Sequence, residues 1–128
     1  PTLATLLLAA ALSPGAAVAA TPTELLAGYS AQAKTPGQAA RGQALFTTTH
    51  DREWSCSSCH GATPTQGGKH ASTGKPIRAL APAFNAERFT DPAKVEKWFR
   101  RNCNDVLGRE CSAGEKADVL AWLTTLKP

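Results

Sequence analysis

Cys56-Ser57-Ser58-Cys59-His60 is the stretch whose reading decides the fold. It reads C-x-x-C-H, the attachment signature of a c-type haem. At this spacing the two thiols fall on successive positions of a short turn, and each can add across a haem vinyl group as a thioether. The imidazole follows at once and can reach the iron from one side. A redox C-x-x-C would want a βαβ setting, which is not legible around it. Half a zinc site would want a second ligand pair at close spacing. Cys103 and Cys111 are too far apart in sequence to supply one. The expected cofactor is one covalent haem c on Cys56 and Cys59, with His60 on the iron.

Outward from this stretch the sequence reads as helices. Thr21-Pro22-Thr23-Glu24 is a capping box with proline in the first turn, and Thr35-Pro36-Gly37-Gln38 repeats the pattern. These predict one helix to about Ala33 and a second to about Thr48 with Leu45 and Phe46 on its apolar side. Asp91-Pro92 opens a third, where Val95, Trp98, Phe99 and Asn102 share one face. Ser112-Ala113-Gly114-Glu115 caps a last helix with an apolar stripe of Val119, Leu120, Trp122, Leu123 and Leu126. Between the second and third helices lie about 40 residues rich in Gly, Pro, Ser, Thr and Ala without strand alternation. So long a loop fits a small domain only when something large fills its middle. Gly42-Gln43-Ala44-Leu45-Phe46, the C-x-x-C-H followed by Gly61, and the late Ala121-Trp122-Leu123 resemble a class I cytochrome c. That resemblance implies an all-α fold with four helices around one haem and a long wrapping loop. It also implies that an early helix, through Gly42 and Phe46, crosses the last one at Trp122.

The chain has 128 residues, a one-domain length. Its first 19 residues carry no charge and join a short apolar run to Ala17-Val18-Ala19. This describes a secretory signal peptide at 1–19, leaving a cytochrome c domain at 20–128. The run is too short for a membrane helix, so no stable membrane insertion is expected. Export implies a periplasmic location. The net charge of +4 comes from 14 basic and 10 acidic residues. No Lys/Arg stripe interleaves with aromatics, so nucleic acid is not an expected partner. Lys94, Lys97, Arg100, Arg101 and Lys116 read either as solvated helix faces or as a docking patch for an acidic redox partner. Lys75, Arg78 and Arg88 are candidates to neutralise haem propionates.

The chain holds no methionine. The position opposite His60 is therefore open to His50, His70, Asn85, Asn102, Asn104, a lysine, water or nothing. His50 and His70 sit in polar stretches with no apolar face to aim them, and Asn85 suits a turn. Asn102 continues a core-facing helical stripe, where a polar group is costly without a partner. Iron is one such partner; a helix C-cap is the other reading. In an exported chain whose other cysteines hold haem, Cys103 and Cys111 are expected to pair, with two buried free thiols as the alternative.

These residues carry a closer resemblance. Arg88-Phe89-Thr90-Asp91, Val95-Glu96-Lys97-Trp98, Arg101-Asn102-Cys103-Asn104, Gly108-Arg109 with Cys111, and Gly114-Glu115-Lys116-Ala117-Asp118 resemble the sphaeroides haem protein family. Ala27-Gly28-Tyr29, Arg41-Gly42 and Thr73-Gly74-Lys75 extend the likeness over nearly the whole of 20–128. The resemblance implies Asn102 as the distal iron ligand beside a Cys103–Cys111 bridge. Related methylotroph cytochromes are expected to carry histidine there. It also implies electrons received from a dihaem cytochrome c, and diatomic ligands (O₂, NO or CO) bound when reduced. An amide oxygen is a hard, weak-field donor that suits ferric iron better than ferrous, so the ferric protein should be high-spin and reduction should release Asn102. A haem enzyme, either a nitric oxide dioxygenase or a small-molecule reductase, is the alternative to an electron carrier.

Overall fold

Thr21 opens the first helix through its own side chain. Its hydroxyl accepts from the Glu24 N–H at 3.1 Å, and the Glu24 carboxylate accepts from the Thr21 N–H at 2.8 Å. This complete capping box starts α1, Pro22–Ala33, which ends at Lys34 in the left-handed conformation. The computed structural model describes residues 15, 16 and 18–128. The expected signal peptide at 1–19 lies almost wholly outside the described residues. Ala20, the first residue of the expected cytochrome c domain, donates its N–H to Thr90 O at 2.8 Å.

After α1 come α2 (Ala39–Thr47), α3 (Cys56–His60), β1 (Gly68–Lys69), β2 (Pro76–Ile77), a 3-10 turn at Pro82–Phe84, α4 (Pro92–Leu107) and α5 (Ala113–Thr125). The fold is the expected all-α, cytochrome c-like one. The two strands pair antiparallel, with Gly68 opposite Ile77 and Lys69 opposite Pro76. At two residues each they are too short for alternation to betray them, so the sequence reads there as plain loop.

The second helix starts later than its capping box predicts. Thr35 is spent on closing α1, its N–H donating to Ser30 O. The cap of α2 comes instead from a distant carboxylate. Asp118 Oδ1 accepts the Gln38 N–H at 2.7 Å, and Arg41 donates to both oxygens of Asp118 at 2.8 and 2.9 Å. A buried, ion-paired carboxylate makes stronger hydrogen bonds than a threonine hydroxyl, so tertiary structure overrides the local signal.

Helix α5 is the axis of the core. Both α1 and α2 pack on it. Ala117, Asp118, Val119, Leu120, Trp122 and Leu123 are all buried, which is more of its circumference than the single expected stripe. The expected crossing is present. A Cβ on Gly42 would fall inside the Asp118 carbonyl, and Phe46 lies 5.0 Å from Trp122 between ring centroids. Ser112 and Glu115 cap α5 reciprocally at 3.1 and 2.8 Å. The Arg109 guanidinium, bidentate on Glu115 at 2.7 and 2.9 Å, pulls that carboxyl down to about 2. An unfolded glutamate titrates near pH 4.3, roughly. The stability this cluster supplies is therefore present above that pH and lost as pH falls toward 2. Arg109→Gln is expected to move the acid-unfolding midpoint to higher pH in a circular dichroism titration. An unmoved midpoint would contradict this.

Helix α4 begins as expected on Asp91, which accepts from the Lys94 N–H at 3.1 Å, and ends on left-handed Gly108. Its expected inner face is realised only in part. Val95 and Phe99 pack on the core and Asn102 is half-buried, but Trp98 is 42% exposed with Arg101 5.6 Å from its ring. The fully buried positions are Cys103 and Val106, one step round the helix. Among the described residues, the α4 backbone stays farther from the other helices than α1 and α2 do from α5. No described helix is long and apolar enough to cross a membrane.

Candidate functional site

Helix α3 consists of the C-x-x-C-H stretch itself. Its serines build it. The Ser55 N–H donates to Ser58 Oγ at 3.0 Å, and the Ser55 and Ser57 hydroxyls bond at 2.7 Å. Gly61, at φ 81°, ends it. Gly68 of β1 presses directly on the Cys59 carbonyl, where no side chain would fit. The helix thus rests on β1 behind and on α2 in front.

Cys56 and Cys59 are both free and half-buried. Burial, helped by the nearby Cys59, pushes the Cys56 thiol up to about 11. A redox C-x-x-C works the other way, lowering a thiol toward the thiolate. The Ala71 N–H points at Cys59 Sγ from 3.2 Å. At the helix end, burial first and the Arg88 charge second pull His60 down to about 4. Its imidazole is neutral at physiological pH, with a lone pair available to a metal. The ring lies 6.0 Å from Phe46, so the helix crossing and the site share a wall.

The other histidine and asparagine candidates each make a side-chain hydrogen bond. His50 Nε2 bonds Leu45 O at 2.9 Å. His70 Nδ1 accepts the Ser72 and Thr73 N–H groups at 3.3 Å. Asn85 donates to Ala79 O at 3.2 Å and accepts from the Glu87 N–H, the expected turn role. Asn104 donates to Arg100 O at 2.7 Å. Among the described residues, the half-buried Asn102 amide has no such side-chain bond. It sits on α4, apart from α3, and its neighbour Cys103 is bridged to Cys111 with Cα atoms 5.6 Å apart. The expected disulfide is present.

Of the three cations considered for propionates, only Arg88 is half-buried near His60, held by Ala79 O at 2.9 Å and Arg78 O at 2.8 Å. Arg78 pairs outside with Glu87 at 2.6 Å, and Lys75 is exposed. The expected basic patch also shrinks. Arg100 pairs with Glu110 at 3.1 Å and Lys116 with Glu96 at 2.8 Å, leaving Lys94, Lys97 and Arg101 around exposed Trp98. The Glu96–Lys116 pair, with Tyr29 donating to Glu96 at 2.5 Å, carries no local sequence signal because its members lie on three helices.

The donor set fits a haem: two free thiols and a neutral imidazole on one helix, and an amide with no side-chain hydrogen bond among the described residues on another that does not pack closely against it. Among the described residues no three His, Cys, Asp or Glu side chains converge to hold a bare metal ion.

A family described as a domain of unknown function (DUF1924) matches residues 32–123. The cytochrome c-type protein SHP of Cereibacter sphaeroides is 50% identical over 123 residues, 92% of this chain and 95% of that protein. Cytochrome c'' of Methylophilus methylotrophus is 49% identical over 80 residues, 62% of this chain and 56% of that protein. The solved structure of oxidised SHP, an oxygen-binding cytochrome c, superposes with TM-score 0.77 at 51% identity, over 83% of this chain and 97% of that one. Oxidised cytochrome c'' from Methylophilus methylotrophus superposes with TM-score 0.74 at 37% identity, over 84% of this chain and 95% of that one. Sequence and fold agree, and the chain belongs to the sphaeroides haem protein family, as a monohaem c-type cytochrome with one covalently bound haem c.

Proposed function

We propose that this cytochrome binds diatomic gases at a coordination position guarded by Asn102, and that reduction removes the guard. The haem would supply one-electron chemistry and an iron able to take protein and diatomic ligands. Cys56 and Cys59 would hold it as thioethers. His60 would ligate the iron through its neutral imidazole. Arg88, fixed by two backbone carbonyls, would neutralise a propionate. Asn102 would be a second iron ligand through its amide oxygen.

The observation that carries this reading is Asn102 itself. It is half-buried, without a hydrogen-bond partner among the described residues, and stapled in place by the bridge at Cys103. A hard, neutral oxygen donor holds ferric iron and competes poorly for the softer ferrous ion. Once released, the Asn102 amide has N–H groups to offer a polar ligand. The likeness to an oxygen-binding cytochrome c supports gas binding. The bridge suits an oxidising compartment, and we place the domain in the periplasm. Lys94, Lys97 and Arg101 suit docking of an acidic electron donor such as a dihaem cytochrome c.

Absorption spectra of the ferric and ferrous holoprotein, with and without CO, test the reading. We expect the ferrous form to be high-spin and to shift on adding CO. A low-spin ferrous spectrum indifferent to CO would contradict it.

A further inference from the structure

Asn102 needs a rigid support if a weak ligand is to be held in one redox state and released in the other. Helix α4 lacks the close backbone packing that fixes α1, α2 and α5. An open groove of about 270 Å³, lined by Gly28 and Gln32 of α1 and Pro92 of α4, lies where α1 faces the start of α4. Two devices bridge α4 to the rest. One is the disulfide at Cys103. The other is a closed knot one to two turns upstream of Asn102. In it the buried Tyr29 of α1 donates its hydroxyl to Glu96 Oε1 at 2.5 Å, and Lys116 of α5 donates to Glu96 Oε2 at 2.8 Å. The Lys116 ammonium lies 5.4 Å from the Tyr29 ring and 5.9 Å from the Phe99 ring, and Tyr29 meets Phe99 edge-on at 5.9 Å. Phe99 is one helical turn before Asn102, and Glu96 is about 9 Å before it along the axis at 1.5 Å per residue.

We propose that Glu96, held by Tyr29 and Lys116, is a positioning residue that sets how firmly α4 presents Asn102 to the iron. The inference rests on Asn102 being the ligand. Glu96 stays ionised across the neutral range. Burial alone would raise the Glu96 carboxyl, but the bonds from Lys116 and Tyr29 hold it below its ordinary value. Burial and Glu96 together raise the Tyr29 phenol, so it stays a donor. Residues that act on a site without touching its ligand commonly change affinity there by about 2–30-fold.

Cyanide binding to the ferric holoprotein reads the effect, because cyanide must displace the internal ligand. Glu96→Gln is expected to tighten apparent cyanide affinity about three- to tenfold. Tyr29→Phe, which keeps the buried ring, should act in the same direction. Both effects should vanish in an Asn102→Ala background, where the internal ligand is already gone. Parental cyanide affinity in both single variants would overturn the proposal. So would an equal gain that persists without Asn102, since that is general loosening. An Asn102→Ala protein with parental cyanide affinity would show separately that the ligand reading fails, and would overturn both.

Discussion

Gly42→Ala is expected to destabilise the protein by about 2 kcal/mol, although alanine is the better helix former. Two effects oppose each other. In a helix interior, alanine is favoured over glycine by about 1 kcal/mol. At Gly42, however, the added Cβ would fall inside the Asp118 carbonyl and close to the Val119 nitrogen. Both are backbone atoms of α5 and cannot rotate away. Helices α2 and α5 would have to separate, loosening the contact of Phe46 with Trp122 and the Asp118 cap on α2. Overpacking of this kind costs about 1–3 kcal/mol, and more when backbone must move, so sterics wins. Phe46 also borders His60, so the haem environment should be disturbed as well. Gly28 is the control. It lies on α1, and an added methyl there would meet nothing within 4 Å, so Gly28→Ala should stabilise by about 0.5–1 kcal/mol. Thermal denaturation of the two variants checks the pair. Equal shifts of the same sign would contradict the crossing as described.

Removing the Cys103–Cys111 bridge is the second large effect. The cysteines are eight positions apart in sequence. Loop-closure arithmetic for so short a ring gives about 2–3 kcal/mol. For a domain of this size that lowers Tm by roughly 10–15 °C. A Cys103→Ser, Cys111→Ser double variant should show this loss. It should also show a second change, because Cys103 adjoins Asn102. The ferric spectrum should move toward the form without an internal ligand even at temperatures where the fold is intact. A Tm within about 2 °C of the parent would contradict the stabilising role.

Much of the architecture is legible in the sequence because it rests on local chemistry. The caps at Thr21, Asp91 and Ser112 lie within a few residues of the groups they satisfy, and the structure keeps all three. The C-x-x-C-H stretch is legible for the same reason. The start of α2 is not, because its cap, Asp118, comes from the far end of the chain. Trp98 departs from its expected inner place because period alone cannot tell a face that packs on protein from its flank. The knot of Tyr29, Glu96 and Lys116 joins three helices and leaves no trace at sequence spacing. Asn102 stands out by a different route. With no methionine in the chain, an asparagine on a core-facing stripe beside a cysteine is the residue in need of a partner.

The most direct measurement is the ferric absorption spectrum of Asn102→Ala holoprotein beside that of the parent. Alanine removes the amide oxygen and leaves α4, the disulfide and His60 in place. The expected result is a ferric spectrum changed to that of a centre lacking its internal distal ligand, with a ferrous spectrum that matches the parent. A ferric spectrum identical to the parent's would contradict Asn102 as the ligand.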